Sequence, residues 1–158
     1  MRIGFSKDIH RLVENKKLVV GGVNIPFIKG CLAHSDGDVV YHALGEAMLG
    51  ALSLGDLGKH FPTNDPKYDG IDSSILLDHI FGLIQEKGYE IGNADMQIVL
   101  ERPKLAPHIM QMRENIAKIL HCELDQISVK AGTNEGCGEI GKGEAIECSA
   151  IVLLKSKN

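Results

Sequence analysis

The chain has 158 residues, 44% hydrophobic and 24% charged, which is enough for one soluble globular domain with a real core. Aromatic residues make up only 4% and Trp is absent, so the core is expected from Ile, Leu, Val and Ala. A net charge of −4 with no basic block argues against nucleic acid as a partner, because phosphate-backbone binding needs clustered Lys and Arg.

Residues 2–11 read as a strand leading into Asp8 and His10. Leu18-Val19-Val20 and Val23-Asn24-Ile25 flank Gly21-Gly22, a pair that accepts positive φ, and predict a short hairpin ended by Pro26. After a loop through Lys29-Gly30, Ser35 or Asp36 is expected to cap a helix over roughly 37–53. Val39, Val40, Ala43, Leu44, Ala47, Met48 and Ala51 recur along it at helical spacing. Five Gly and Pro residues in 55–70 predict a long irregular loop. A second helix is expected at about 72–87, capped by Asp72 or Ser73, with Ile75, Leu76, His79, Ile80, Leu83 and Ile84 inward and Gly88 closing it. Ala94, Met96, Ile98 and Leu100 alternate with polar residues, as on a half-buried strand. Pro107 opens a third helix to about Leu120, with Ile109, Met112, Ile116 and Ile119 inward. Ile127 to Ala131 reads as a strand, and a Gly-rich turn at 136–143 leads into a last strand at about 144–155.

That order predicts an α+β fold: a single domain over 1–158, a two-layer sandwich with helices packed on one face of a mixed β-sheet. Apolar residues on both faces of the final strand, around Ile151 to Leu154, fit self-association and equally a strand buried inside a monomer. Cys31, Cys122, Cys137 and Cys148 stand far apart with no CxxC pair and read as reduced thiols. No signal-peptide core and no apolar run of about 18 residues are present, so no membrane span is expected.

The chemistry concentrates in Asp8-Ile9-His10 and His34-Ser35-Asp36-Gly37-Asp38 with His42. Asp8 and His10 leave one face of a strand, about 7 Å apart, and His42 falls one helical turn after Asp38, able to point back at them. One carboxylate and two imidazoles fill three positions of a tetrahedral zinc site and leave the fourth open for chemistry. Short His/Asp patterns also arise by chance, and spacing alone weighs zinc and coincidence about evenly. Asp36 and Asp38 alone read as helix-cap and first-turn acids. Gly132-Thr133-Asn134-Glu135-Gly136 follows a strand and suits a phosphate with its magnesium, yet reads more readily as an ordinary strand-end turn. Arg102-Pro103-Lys104 is either solvated charge or a phosphate contact.

From His34 to Ala43 the sequence closely resembles the 2-C-methyl-D-erythritol 2,4-cyclodiphosphate synthases of the non-mevalonate isoprenoid route. Further segments line up in order: Arg2-Ile3-Gly4, Asp8-x-His10, Gly21-Gly22-Val23, Ile25-Pro26, Gly55-Asp56-Leu57-Gly58 and Phe61-Pro62, then Pro103-Lys104, Val129-Lys130-Ala131, Thr133 with Glu135, and Gly141-Lys142-Gly143-Glu144. The resemblance implies a homotrimer with active sites at subunit junctions, in the bacterial cytoplasm or in a plastid stroma after removal of a transit peptide. It implies Asp8, His10 and His42 as zinc ligands, with His34 and Ser35 holding the erythritol-side phosphate. Asp56, Leu57 and Gly58, with Phe61, Pro62, Thr63, Asn64 and Asp65, match the methylerythritol pocket. Leu100, Glu101, Arg102, Pro103, Lys104, Leu105 and Ala106 match the segment that accepts cytosine and ribose. Gly132, Thr133, Asn134 and Glu135 match the phosphate turn, with Glu135 as ligand of a second ion, magnesium or manganese. His34 and Thr133 take the catalytic roles.

The implied reaction turns 4-diphosphocytidyl-2-C-methyl-D-erythritol 2-phosphate into 2-C-methyl-D-erythritol 2,4-cyclodiphosphate and CMP. It is a metal-dependent phosphorus–oxygen lyase reaction on a small cytidine diphosphate substrate, with no protein nucleophile. The chain departs from the family pattern at Phe5-Ser6-Lys7, where a His/Gly-containing lead-in is common. It departs again around Thr133, at Glu139, where an aromatic is common, and at Lys142, where Arg is. The last two changes bear on binding of an isoprenoid diphosphate in a trimer channel. A zinc phosphohydrolase and a catalytically silent nucleotide- or metal-binding module are the rival readings.

Overall fold

The computed structural model describes residues 1–158. Four strands form one sheet with a short fifth: β1 (Arg2–Glu14), β4 (Lys29–Cys31), β5 (Tyr89–Val99), β6 (Ile127–Gly132) and β7 (Ala145–Ser156), in the order β4-β1-β7-β5-β6. Only β5 and β6 run parallel, with α4 (Ile109–Ile119) on the connection between them. The small hairpin of β2 (Leu18–Val20) and β3 (Val23–Ile25) turns at Gly21 and Gly22, whose φ values of 57° and 74° suit a tight turn. The fold is the mixed α+β architecture that the sequence predicts.

Helix α1 (Val39–Ala51) lies against β1 and β7 on one side and α3 (Ser73–Glu86) on the other, so it is apolar nearly all round. Its approach to β1 depends on Gly4, where a Cβ would overlap the carbonyl oxygen of Ala47. Met96, Ile98, Cys148, Ala150, Val152 and Leu154 close the core from the sheet side. The opposite sheet face has no helix over it: Ile3, Phe5, Ile9 and Ile151 remain exposed there, with Ile151 between Phe5 and Asp95 in register.

Several local expectations shift. The cap of α1 is Asp38, not Ser35 or Asp36, because only its carboxylate reaches the amides of Val40 and Tyr41. That carboxylate also accepts from Gly21 and Gly22, so it ties the hairpin turn to the helix start. The 55–70 segment holds a four-residue helix, α2 (Leu57–His60), and a 3-10 turn at Pro66–Tyr68. In α3 the inward stripe is Leu76, Leu77, Ile80, Phe81 and Ile84, leaving Ile75 and His79 exposed. Asp72 caps α3, which frees Ser73 for another task. Strand β5 begins at Tyr89, five residues before its alternating stretch, because a bulge at Gly92 interrupts the pattern. In α4, Ile109 and Ile119 are only half-buried, while Met112, Ile116 and Ala117 face the core.

Candidate metal centre and its cleft

Period-two geometry sends Asp8 and His10 of β1 toward α1, the same face as Gly4, while Ile9 faces away. His42, in the first turn of α1, meets them. Asp8 Oδ2 lies 2.9 Å from His10 Nε2 and 3.3 Å from His42 Nδ1, and the two imidazole nitrogens are 3.2 Å apart. This is a nearly equilateral triangle of three lone-pair atoms. Ligands about 2.0–2.1 Å from a tetrahedral zinc stand roughly 3.3 Å from one another, which matches those edges. Asp8 Oδ2 is also buried with no aligned hydrogen-bond donor, an orphan acceptor that a cation would satisfy. Burial pushes the Asp8 carboxyl up, but the closeness of the His10 and His42 rings outweighs it and holds it well below the usual carboxylate range.

A second layer orients His42. Its Nε2 lies 3.0 Å from Ser73 Oγ and 3.1 Å from Ser35 Oγ. Ser73 Oγ in turn donates to Asp36 Oδ1 at 2.5 Å, and the Ser73 amide donates to Asp36 Oδ2. A proton held on Nε2 leaves the Nδ1 lone pair directed at Asp8 and His10, the usual job of a metal site's outer partners. Sequence reasoning gave Ser73 and Asp36 only capping roles, because the contact that matters joins residues 37 apart.

The triad opens onto a cleft of about 320 Å³ lined by His34, Ser35, Leu57, Gly58, Phe61 and Thr63, together with Leu32, Tyr68 and Ile71. His34 and Ser35 are held there by Gly70 N donating to His34 O and Asp36 N donating to Ile71 O. Asp56 caps α2 through the Lys59 amide, and the Phe61 ring packs edge-on against Tyr68 and His79. Pro62, Asn64 and Asp65 lie on the exposed stretch beyond, Asp65 paired with Lys67 at 3.4 Å. Cys31 sits close behind, its thiol pushed up to about 12 by burial and by the charges of Asp38, Asp8 and Asp36, so it is no nucleophile at neutral pH.

A second cleft, of about 220 Å³, gathers Leu100, Glu101, Pro103, Lys104, Leu105 and Ala106 with Gly132 and Thr133 at the ends of β5 and β6. Here the Arg102–Pro103 peptide is cis, and Asn134 N donates to Glu101 Oε2. Glu135 is exposed with φ of 52°, its amide bonded to Thr133 Oγ1, and Glu139 pairs with Lys142 at 3.5 Å on the short helix α5 (Gly138–Gly141). The two clefts share no lining residue. Within one chain, the structure therefore brings together Asp8, His10, His42, His34 and Ser35, but not these with Thr133 and Glu135.

A family model described as the YgbB family matches residues 1–155. A Trichlorobacter lovleyi protein named 2-C-methyl-D-erythritol 2,4-cyclodiphosphate synthase is 56% identical over 154 residues, covering 98% of this chain and 98% of that one. A solved 2C-methyl-D-erythritol-2,4-cyclodiphosphate synthase in its CDP-bound form superposes with a TM-score of 0.90 at 36% identity, over 98% of this chain and 100% of the other. The bifunctional IspDF from Campylobacter jejuni gives a TM-score of 0.94 at 38% identity over 98% of this chain, which spans 42% of that longer protein.

Proposed function

Since the chain belongs to the YgbB family, we propose that it converts 4-diphosphocytidyl-2-C-methyl-D-erythritol 2-phosphate into 2-C-methyl-D-erythritol 2,4-cyclodiphosphate and CMP, within isoprenoid precursor synthesis. The observation that carries this reading is the triangle of Asp8 Oδ2, His10 Nε2 and His42 Nδ1 opening onto a cleft large enough for a folded-back phosphate arm. The 2-phosphate oxygen attacks the β-phosphorus, that phosphorus parts from the bridging oxygen to the α-phosphate, and CMP leaves with the electron pair. Both reacting groups are anionic, so the work is charge neutralisation and folding the substrate back on itself.

Asp8, His10 and His42 would hold zinc, and Glu135 a magnesium or manganese ion. When bound, these metals supply Lewis acidity at the β-phosphate and offset charge on the departing CMP. The chain's own residues do the rest. His34 and Ser35 bind the 2-phosphate at the mouth of the triad cleft, and Asp56, Leu57 and Gly58 take the methylerythritol hydroxyls. Leu100 to Ala106 receive cytosine and ribose, with Lys104 near the phosphates, and the Thr133 hydroxyl polarises the diphosphate.

Two features support a homotrimer whose active sites lie at subunit junctions. The cytidine-side and metal-side clefts are separate in one chain, and the bare sheet face carries exposed Ile3, Phe5, Ile9 and Ile151. A particle of three chain masses in light scattering is expected, and a monomeric mass would overturn the assembly. The reaction itself is tested by phosphorus NMR of substrate incubated with the protein. Two coupled signals plus free CMP support ring closure; inorganic phosphate points to hydrolysis, and no change to a silent binding module.

A further inference from the structure

One carboxylate ties the metal strand to the wall of the cleft. Ser6 Oγ donates to Glu46 Oε2 at 2.8 Å, and Glu46 Oε1 accepts from the Leu57 amide at 3.2 Å. The spacing of this tie is informative. Ser6 stands two residues before Asp8, on the same face of β1, and Glu46 stands one turn after His42 on α1. The tie therefore starts from the same two backbone segments that carry the metal ligands. It ends on Leu57, which with Gly58 lines the cleft beside His10 and His42.

Helix α2 needs such an anchor. It is four residues long with no fully buried side chain, far too short to hold its place by helical cooperativity. Asp56 satisfies the Lys59 amide from within the segment itself, so it shapes the turn without fixing where the turn stands. Of the side chains bonded to the Asp56–Gly58 backbone, Glu46 is the one from a distant element.

We propose that Ser6 is a positioning residue: by orienting Glu46 it sets the height of the Asp56–Gly58 segment above the metal ligands, and so the fit of the methylerythritol end of the substrate. The inference rests on the reaction proposed above for its substrate, but the tie can be tested without turnover. In Ser6→Ala, amide hydrogen exchange at Leu57 is expected to quicken, and KM for the cytidine substrate to rise about three- to tenfold, as for a partly solvated hydrogen bond to a charged group. Turnover number, bound metal and affinity for CDP, which lacks the methylerythritol part, should each stay within about twofold. Glu46→Ala should reproduce the effect. Glu46→Gln, whose amide can accept from Leu57 and meet the Ser6 hydroxyl, should restore KM.

Unchanged exchange at Leu57 in Ser6→Ala overturns the tie, and faster exchange with unchanged KM overturns its role in substrate fit. A parallel loss of metal, CDP affinity and KM would reduce Ser6 to a general stabiliser and also overturn it. If the wild-type protein does not turn the substrate over, the reaction is lost, while the exchange comparison still decides whether Ser6 and Glu46 hold Leu57.

Discussion

Asp8, His10 and His42 stand on two regular elements packed against each other, whereas Leu100–Ala106 and Gly132–Glu135 stand on turns beyond the ends of β5 and β6. On the first side, the strand pleat, the helical turn and the tight approach at Gly4 place three ligand atoms within 3.3 Å of each other. On the second, Thr133, Asn134 and Glu135 are exposed, and their hydrogen bonds are made mostly to neighbours in the turn. Rigid elements can fix a metal in advance of substrate. A solvated turn takes its final geometry from what binds it or from a neighbouring chain. The difference explains why the triad's ligand atoms converge within a single chain while the turn residues stay solvated.

The sharpest way to break the contrast is to remove a ligand from the rigid half. His42→Ala is expected to lose its metal and more than about a thousandfold in turnover while remaining folded, checked by metal analysis, kinetics and circular dichroism. Gly4→Ala attacks the same half from a distance. Its Cβ would meet only backbone atoms, those of Ala47 and Ala51, so α1 must move off β1, and thermal unfolding should show a loss of ~3 kcal/mol or more together with reduced metal content.

Asp38, which joins the hairpin to α1, gives the rigid half a pH dependence. Burial, opposed by the amides of Gly22, Gly21 and Tyr41, pushes its carboxyl up to about 6, and the charge of Asp36 adds to the rise. A native value above the ordinary ~3.9 means that the folded state holds the proton more tightly. The resulting stabilisation is full below about pH 4 and is lost as pH rises through 6, at most ~3 kcal/mol in all. Urea unfolding of the wild type between pH 4 and 7 should show that slope, and Asp38→Asn should lack it.

The solvated half should behave differently. Thr133→Val is expected to keep its metal triad filled and lower turnover by about a hundredfold, with a smaller effect on CDP affinity, as for a contact strongest in the transition state. Equal losses of turnover and affinity would erase the distinction between the halves. The smallest expected effect is that of Ser73→Ala, which removes a partner of His42 Nε2. Metal affinity should drop about tenfold by competition with a chelator, with stability little changed.

Legibility in the sequence followed the same divide. Asp8 and His10 were readable from a two-residue period, and His42 from its place in the first helical turn. The cap of α1 was not, because Ser35, Asp36 and Asp38 are all good capping residues and only the bond to the hairpin turn selects Asp38. Ser73, Asp36 and Glu46 were missed as site residues because their roles arise from contacts between distant segments, which leave no local pattern. Strand β4 escaped for a similar reason: Lys29-Gly30-Cys31 has no strand pattern of its own and is fixed by pairing with Leu12–Glu14. His79 fits the apolar stripe of α3 by spacing, yet it points outward and meets the Phe61 ring.

Ile9 lies between Asp8 and His10 in sequence and on the opposite side of the ribbon from both, half of its surface bare. Anything packed on that side would press on a residue whose immediate neighbours in the chain, before and after, belong to the candidate triad. The bare face and the candidate triad thus share one stretch of backbone, and a change at Ile9 can shift Asp8 and His10 without coming near their ligand atoms.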